Sequence, residues 1–175
     1  VNGGDANTSL GLTASNVNHL GYVENSSYIR NNVSVGGQTK HKAFTVGGNL
    51  SYARSKQKGG FFGNNQTPGA SSQFARTMHM ARNWDLFGLP SQDLGGVPLA
   101  FIAGNYDHPK WAAYHNVITT IEERMVLGLR LGYKVNNWIN VNYNIGLNST
   151  HVNRDEVTDE FSRAASGLGQ LIKDN

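Results

Sequence analysis

The chain has 175 residues, of which 38% are apolar and 15% charged, with 21 glycines, no cysteine and a formal charge of +3. Without cysteine there is no disulfide framework, thiolate metal centre or cysteine nucleophile. No apolar run approaches the ~20 residues of a spanning helix. The net charge is too low for charge-driven disorder, and the scattered lysines and arginines lack the clustered stripe of a nucleic-acid binder.

Five segments alternate apolar and polar side chains, which is the strand period. In the first, Asn7 to Val23, Leu10, Leu12 and Ala14 face away from Ser9, Gly11, Thr13 and Ser15. The second, Ser27 to Gly37, sets Ile29, Val33 and Val35 against Arg30, Asn32 and Ser34. The third, Lys42 to Lys56, sets Phe44, Val46, Leu50 and Tyr52 against Thr45, Asn49 and Ser51. A long connection follows. It holds one predicted short helix within Ser71 to Trp84, capped by Ser71 or Ser72, with Phe74, Met78 and Ala81 at near-helical spacing. Beyond it Pro90, Pro98 and Pro109 read as breakers of an irregular stretch.

The fourth strand, Arg124 to Val135, carries Met125, Leu127, Leu129, Leu131 and Tyr133 on one face and Gly128, Arg130, Gly132 and Lys134 on the other. The fifth, Trp138 to Thr150, sets Ile139, Val141, Tyr143, Ile145 and Leu147 against Asn140, Asn142 and Asn144. The tail extends this strand and passes into a polar loop without a closing strand. Keeping the apolar faces together predicts a three-residue turn, Val135 to Asn137, between the last two strands. It predicts an even-numbered turn around Gln38 to His41, with Val35 opposite Phe44, because a one-residue slip flips every side chain.

These strands exceed the ~5–6 residues of a globular strand and match the ~9–11 that cross a bilayer at a tilt. Short turns alternate with long connections, as in outer-membrane barrels. The expected fold is therefore all-β, an antiparallel transmembrane barrel with long extracellular loops and one short loop helix, which the resemblance given below makes a segment of a large barrel. In that reading Leu127, Leu129, Leu131, Val141, Tyr143 and Ile145 face lipid, with Tyr52, Tyr133 and Trp138 at the aromatic girdles. Thr45, Asn49, Arg130, Asn140, Asn142 and Asn144 face the lumen. The alternative is a secreted β-sandwich module for carbohydrate binding or adhesion.

No catalytic signature is present, and no cofactor or metal is expected. Asp107, His108 and His115 lack a third fixed ligand. Glu122-Glu123 and Asp155-Glu156 read as rim charges, since strand neighbours point to opposite faces. In the long connection, Trp84, Asp85, Tyr106, Trp111 and Tyr114 are candidates to stack on a sugar or clasp a partner, against the plainer role of packing the loop.

Several ordered stretches resemble the SusC/RagA-type TonB-linked (TonB-dependent) outer-membrane proteins of Bacteroidetes. They are Gly21, Val23, Asn25 and Ser26; Met80-Ala81-Arg82-Asn83-Trp84-Asp85-Leu86; His108-Pro109-Lys110-Trp111; Glu122-Glu123-Arg124; and Lys134-Val135-Asn136-Asn137-Trp138-Ile139. Ala81 stands where that family has Pro, and Asp107-His108 where it has Asn. The resemblance implies a barrel of about 22 strands with a plugged lumen, of which residues 1–175 would supply about five strands. It also implies TonB-driven nutrient uptake across the bacterial outer membrane, oligosaccharide or peptide cargo, a SusD-like surface lipoprotein partner, and a TonB complex engaged through a part outside this chain. The opening Val-Asn-Gly-Gly fits the expectation of a segment cut from a longer protein.

Overall fold

The structure is a computed structural model that describes residues 1–60, 73–99, 101, 106–162 and 170–174. In chain order the elements are strands β1 (Asn2–Gly4), β2 (Thr8–Leu20), β3 (Ser27–His41) and β4 (Phe44–Gly59), helices α1 (Gln73–Met78) and α2 (Pro109–His115), and strands β5 (Val117–Lys134), β6 (Asn140–Thr158) and β7 (Gln170–Asp174). The architecture is all-β, a single sheet whose spatial order follows the chain from β1 to β7.

Among the described residues there are thus seven strands where the alternation marks five. The two additions are at the ends. β1 pairs with β2 from Asn2↔Gly11 to Gly4↔Ser9, and β7 pairs with β6 from Arg154↔Asp174 to Thr158↔Gln170. Three and five residues are too few for a period to show. The long strands run to 13, 15, 16, 18 and 19 residues, and β6 takes in much of the tail.

Two hairpins close differently from the expectation, and both keep the expected faces. β3 and β4 are joined through Lys42 and Ala43, not around Gln38 to His41. Lys42 adopts φ 54, a left-handed first position of the kind two-residue hairpin loops use. Gly36 lies beside Asn49 and Gly47 beside Gln38, so the ladder runs on through polar residues after the hydrophobic alternation has ended. Backbone N–H and C=O groups pair whatever the side chains are. The register moves from the expected Val35–Phe44 pairing, but its parity is unchanged.

β5 and β6 are joined by Val135 to Ile139 rather than by three residues, so Trp138 and Ile139 belong to the turn. The Val135 amide donates to the Ile139 carbonyl at 3.1 Å. The Asn136 side-chain oxygen accepts from the amides of Trp138 (3.0 Å) and Ile139 (2.7 Å). An asparagine that satisfies two turn amides holds a wider connection than strand pairing alone would choose.

The helix expectation also changes. α1 lies inside the predicted stretch; Ser71, Ser72 and the side chain of Phe74 lie outside the described residues. There is a second helix, α2, where Pro109 had read as a breaker. Proline has no N–H to lose at the first helical turn and its φ is already helical. His108 caps the helix, its Nδ1 accepting from the Lys110 amide at 3.2 Å.

The chain divides into two compact units. The strand unit comprises Val1–Asn18, Ile29–Ser55 and Glu122–Val152; the loop unit comprises His19–Tyr28, Lys56–Ile121 and Asn153–Asn175. No described residue of the strand unit is buried. Among the described residues, the buried Phe101, Trp111, Ala112 and Ala113 all belong to the loop unit. Among the described residues there is no second sheet to form a sandwich.

Replacing Asn136 with Ala removes both turn hydrogen bonds. Faster hydrogen exchange at the Trp138 and Ile139 amides is expected, with a stability loss of about 0.5–1.5 kcal/mol per bond. Unchanged exchange at both amides would show that pairing alone fixes the turn.

Candidate functional site

The strand unit presents two unlike faces. On the apolar face the register sets Leu131 beside Tyr143, Leu129 beside Ile145 and Leu127 beside Leu147. Leu127, Leu129 and Leu131 are 42%, 37% and 39% exposed, and Val141, Tyr143 and Ile145 more so. The face ends in aromatic and polar groups on both sides. Near the β3–β4 turn the rings of Phe44 and Tyr133 lie 4.6 Å apart. At the other end the Tyr52 hydroxyl donates to Glu123 (3.2 Å), and Arg54 pairs with the same carboxylate (3.2 Å). There too the Asn16 side-chain amide donates to Asn31 at 2.6 Å. Trp138, in the β5–β6 turn, is largely exposed.

On the opposite face the polar side chains pair over glycines. Arg130 Nε donates to Asn144 Oδ1 at 3.2 Å, and Arg124 Nε to Asn148 Oδ1 at 3.4 Å. A side chain at Gly128 would overlap the Asn49 amide, and one at Gly132 would press on Asn142 and Thr45. The missing β-carbons at these two positions let the neighbouring amides lie across the sheet. Gly36, Gly47, Gln38, Asn49, Arg130 and Asn144 line a shallow depression of about 530 Å³. Of the six expected lumen residues, Thr45 and Asn142 meet at Gly132, Asn49 lies at Gly128, and Arg130 joins Asn144; Asn140 stands exposed at the start of β6. Gln38 was missed because it falls beyond the apolar alternation that marked the second strand.

The loop unit is built differently, around a small core and a buried polar network. Trp111 is almost fully buried, stacks on His115 (4.3 Å, 6° between planes) and donates its indole N–H to the Gly96 carbonyl at 3.0 Å. Phe101 makes edge-to-face contacts with Trp84 and His108, each at 5.4 Å between centroids. The Arg76 guanidinium lies 3.8 Å above the Tyr106 ring, an arrangement that is attractive because the ring face is electron-rich.

The polar network ties α2 to the segment after β6. Buried Asp107 accepts from the Ser162 hydroxyl (2.5 Å) and from the Asn116 amide (3.3 Å). Asn116 Oδ1 in turn accepts from the Asp159 amide (3.0 Å), and Asp159 pairs with His115 Nδ1 (3.0 Å). Asn25, at φ 59, donates to the Ala113 carbonyl (2.9 Å) and accepts from Lys58 (2.8 Å). A buried carboxylate is tolerable when hydrogen bonds replace its water.

The loop candidates therefore separate. Trp111 and Tyr106 are engaged in packing, and Trp84 lies against Phe101 with part of its ring exposed. Asp85 closes a turn, accepting from the amides of Phe87 (3.1 Å) and Gly88 (2.8 Å). Tyr114 remains exposed, beside Glu24, whose negative charge is the main cause pushing its phenol pKa up. Phe87 and Lys110, which the sequence reading did not single out as ligand contacts, line surface depressions of this unit. Asp107, His108 and His115 are engaged in the network, the helix cap and the Asp159 pair. Comparison of the chain with protein-family models and with curated proteins gave no match.

Burial, and then the neighbouring Lys110 charge, hold the His108 imidazole below its usual value of 6.5. The folded state thus favours the neutral ring, whose Nδ1 is free to cap α2. This contribution is complete above about pH 6.5 and is lost as pH falls through the lower folded value. A melting series from pH 7 to pH 5 should show this loss. His108→Asn, which keeps a side-chain cap, should remove the His108 part of the pH dependence; an unchanged pH profile would show that His108 does not carry it.

Proposed function

We propose that this chain is barrel wall and outer loops of a TonB-dependent importer in the bacterial outer membrane, of the SusC/RagA kind, working with a SusD-like surface lipoprotein to take up oligosaccharide or peptide cargo. The observation that carries the reading is the strand unit's lack of any buried described residue, together with its long apolar face. Water-soluble proteins seldom leave an apolar patch beyond a few hundred Å² uncovered. Lipid covers such a face without a second protein layer.

The proportions support this. From Phe44 to Tyr52 the apolar stripe of β4 extends about 26 Å along the strand, or about 20 Å of height at a tilt near 40°. The rings at its two ends lengthen it towards the ~25 Å apolar band of outer-membrane barrels. The Tyr52–Glu123–Arg54 cluster and the Asn16–Asn31 pair suit the change from hydrocarbon to headgroups.

The polar face, with Arg130, Asn142, Asn144 and the glycine-floored depression, would face the lumen and a plug supplied by a part of the protein outside this chain. TonB would engage that same part. The role is transport, with no reaction catalysed by these residues.

With Leu129 facing lipid, Leu129→Arg is expected to cost about 2–4 kcal/mol near the membrane midplane. The readout is loss of assembled protein from the outer-membrane fraction, with Arg130→Leu tolerated far better. The reverse result would exchange the two faces. Mass spectrometry of the native polypeptide tests the larger claim: a much longer chain in the outer-membrane fraction, with plug peptides upstream, is expected. A product ending near Val1 and Asn175 in the soluble fraction would overturn it.

A further inference from the structure

Two depressions in the loop unit share a wall. The larger, about 520 Å³, is lined by Phe87 to Gln92 and by Lys110, Tyr114 and His115; the smaller, about 250 Å³, by Tyr22, Val23, Leu86, Phe87, Pro109 and Lys110, with Glu24. Phe87 and Lys110 belong to both, so the two adjoin at these residues as a two-part groove. Its smaller part is mostly apolar, and Phe87 is 70% exposed.

The charges within the groove are unequally engaged. His115 is paired with Asp159. Glu24 lies beside Tyr114, its negative charge pushing that phenol's pKa up. The Lys110 ammonium has no hydrogen-bond or ion-pair partner among the described residues; its backbone amide alone is used, in the cap of α2. A half-buried lysine beside an exposed aromatic ring and an apolar recess is complementary to a carboxylate flanked by an apolar side chain. Because the groove continues on both sides of Lys110, the acid belongs within a ligand rather than at its end.

We infer that this groove binds an extended peptide, with an acidic side chain on Lys110, the neighbouring apolar side chain in the recess beside Phe87, and main-chain N–H groups available to Glu24. A neutral oligosaccharide would leave the Lys110 charge uncompensated. As a statement about cargo the inference rests on the importer reading; as a statement about binding it stands on the groove alone.

The test uses the full-length protein purified from its native membrane or cytosolic fraction. Isothermal titration compares the peptide acetyl-Gly-Leu-Asp-Gly-Ser-amide with the same peptide carrying Asn for Asp. A charge-assisted hydrogen bond should favour the Asp peptide at least tenfold. Lys110→Gln should abolish that preference and Lys110→Arg retain it, both leaving the backbone cap of α2 in place. Phe87→Ala should weaken both peptides.

Equal affinity for the two peptides, or no binding of either, would overturn the inference. So would a uronic-acid oligosaccharide binding in their place with the same Lys110 dependence. Heat-modifiable gel mobility of the same preparation separates the two claims. A heat-modifiable outer-membrane protein with no Asp preference keeps the importer reading and ends this one. A soluble-fraction protein that prefers the Asp peptide keeps this inference and ends the importer reading.

Discussion

A strand offers its side chains two directions only, and strands of 18 and 19 residues must find an environment for every one of them. Through the middle of β4, β5 and β6 one direction carries mostly Phe, Val, Leu, Ile and Tyr, and the other mostly Asn, Arg, Thr and Gly. In a soluble domain the first set would be covered by another layer. Among the described residues the strand unit has none, and this uncovered apolar face is what the proposed function has to account for. The proposed lumen and lipid assignments, and the contrast drawn between Leu129 and Arg130, rest on this constraint.

The same constraint gives the polar face its form. Side chains on adjacent strands lie close enough to touch, so a row of large polar groups would crowd itself. Glycines at 128 and 132 relieve that crowding where the amides of Asn49 and Asn142 lie across the sheet. The result is a hydrogen-bonded polar surface with a hollow in it, rather than a bristling charged exterior. Exposed ion pairs such as Arg54–Glu123 add little stability by themselves, about 1 kcal/mol or less; their importance is in where the apolar stripe stops.

The loop unit obeys a different rule. It has no long period to organise it, so it is held by a few buried aromatics and by side-chain hydrogen bonds that take the place of regular structure. Asn25, His108, Pro109 and Trp111, within the stretches that carry the resemblance, contribute a backbone clasp, a helix cap, a helix start and the central buried ring. Asp85, in another of those stretches, closes a turn. These residues shape the loop, and the groove around Lys110 and Phe87 lies beside what they build.

The sequence by itself determined which residues share a face of the sheet, because period-two alternation is local and survives any shift of register by an even step. It determined that the architecture is all-β, and it located the five long strands, although β5 begins at Val117 rather than Arg124 and β6 runs on to Thr158 rather than Thr150. It did not determine the hairpin registers, since the polar residues after Val35 pair their backbones as readily as apolar ones, and Asn136 widens its turn by side-chain hydrogen bonds that no hydrophobic pattern records. It could not separate packed aromatics from exposed ones in the loop. That was decided by contacts such as Asn25 with Ala113 and Asp107 with Ser162, 88 and 55 residues apart in the chain. Trp111 and Tyr114 sit three residues apart on one short helix, and only the tertiary structure buries the first and leaves the second in solvent, because burial depends on what the folded chain brings to each side of that helix.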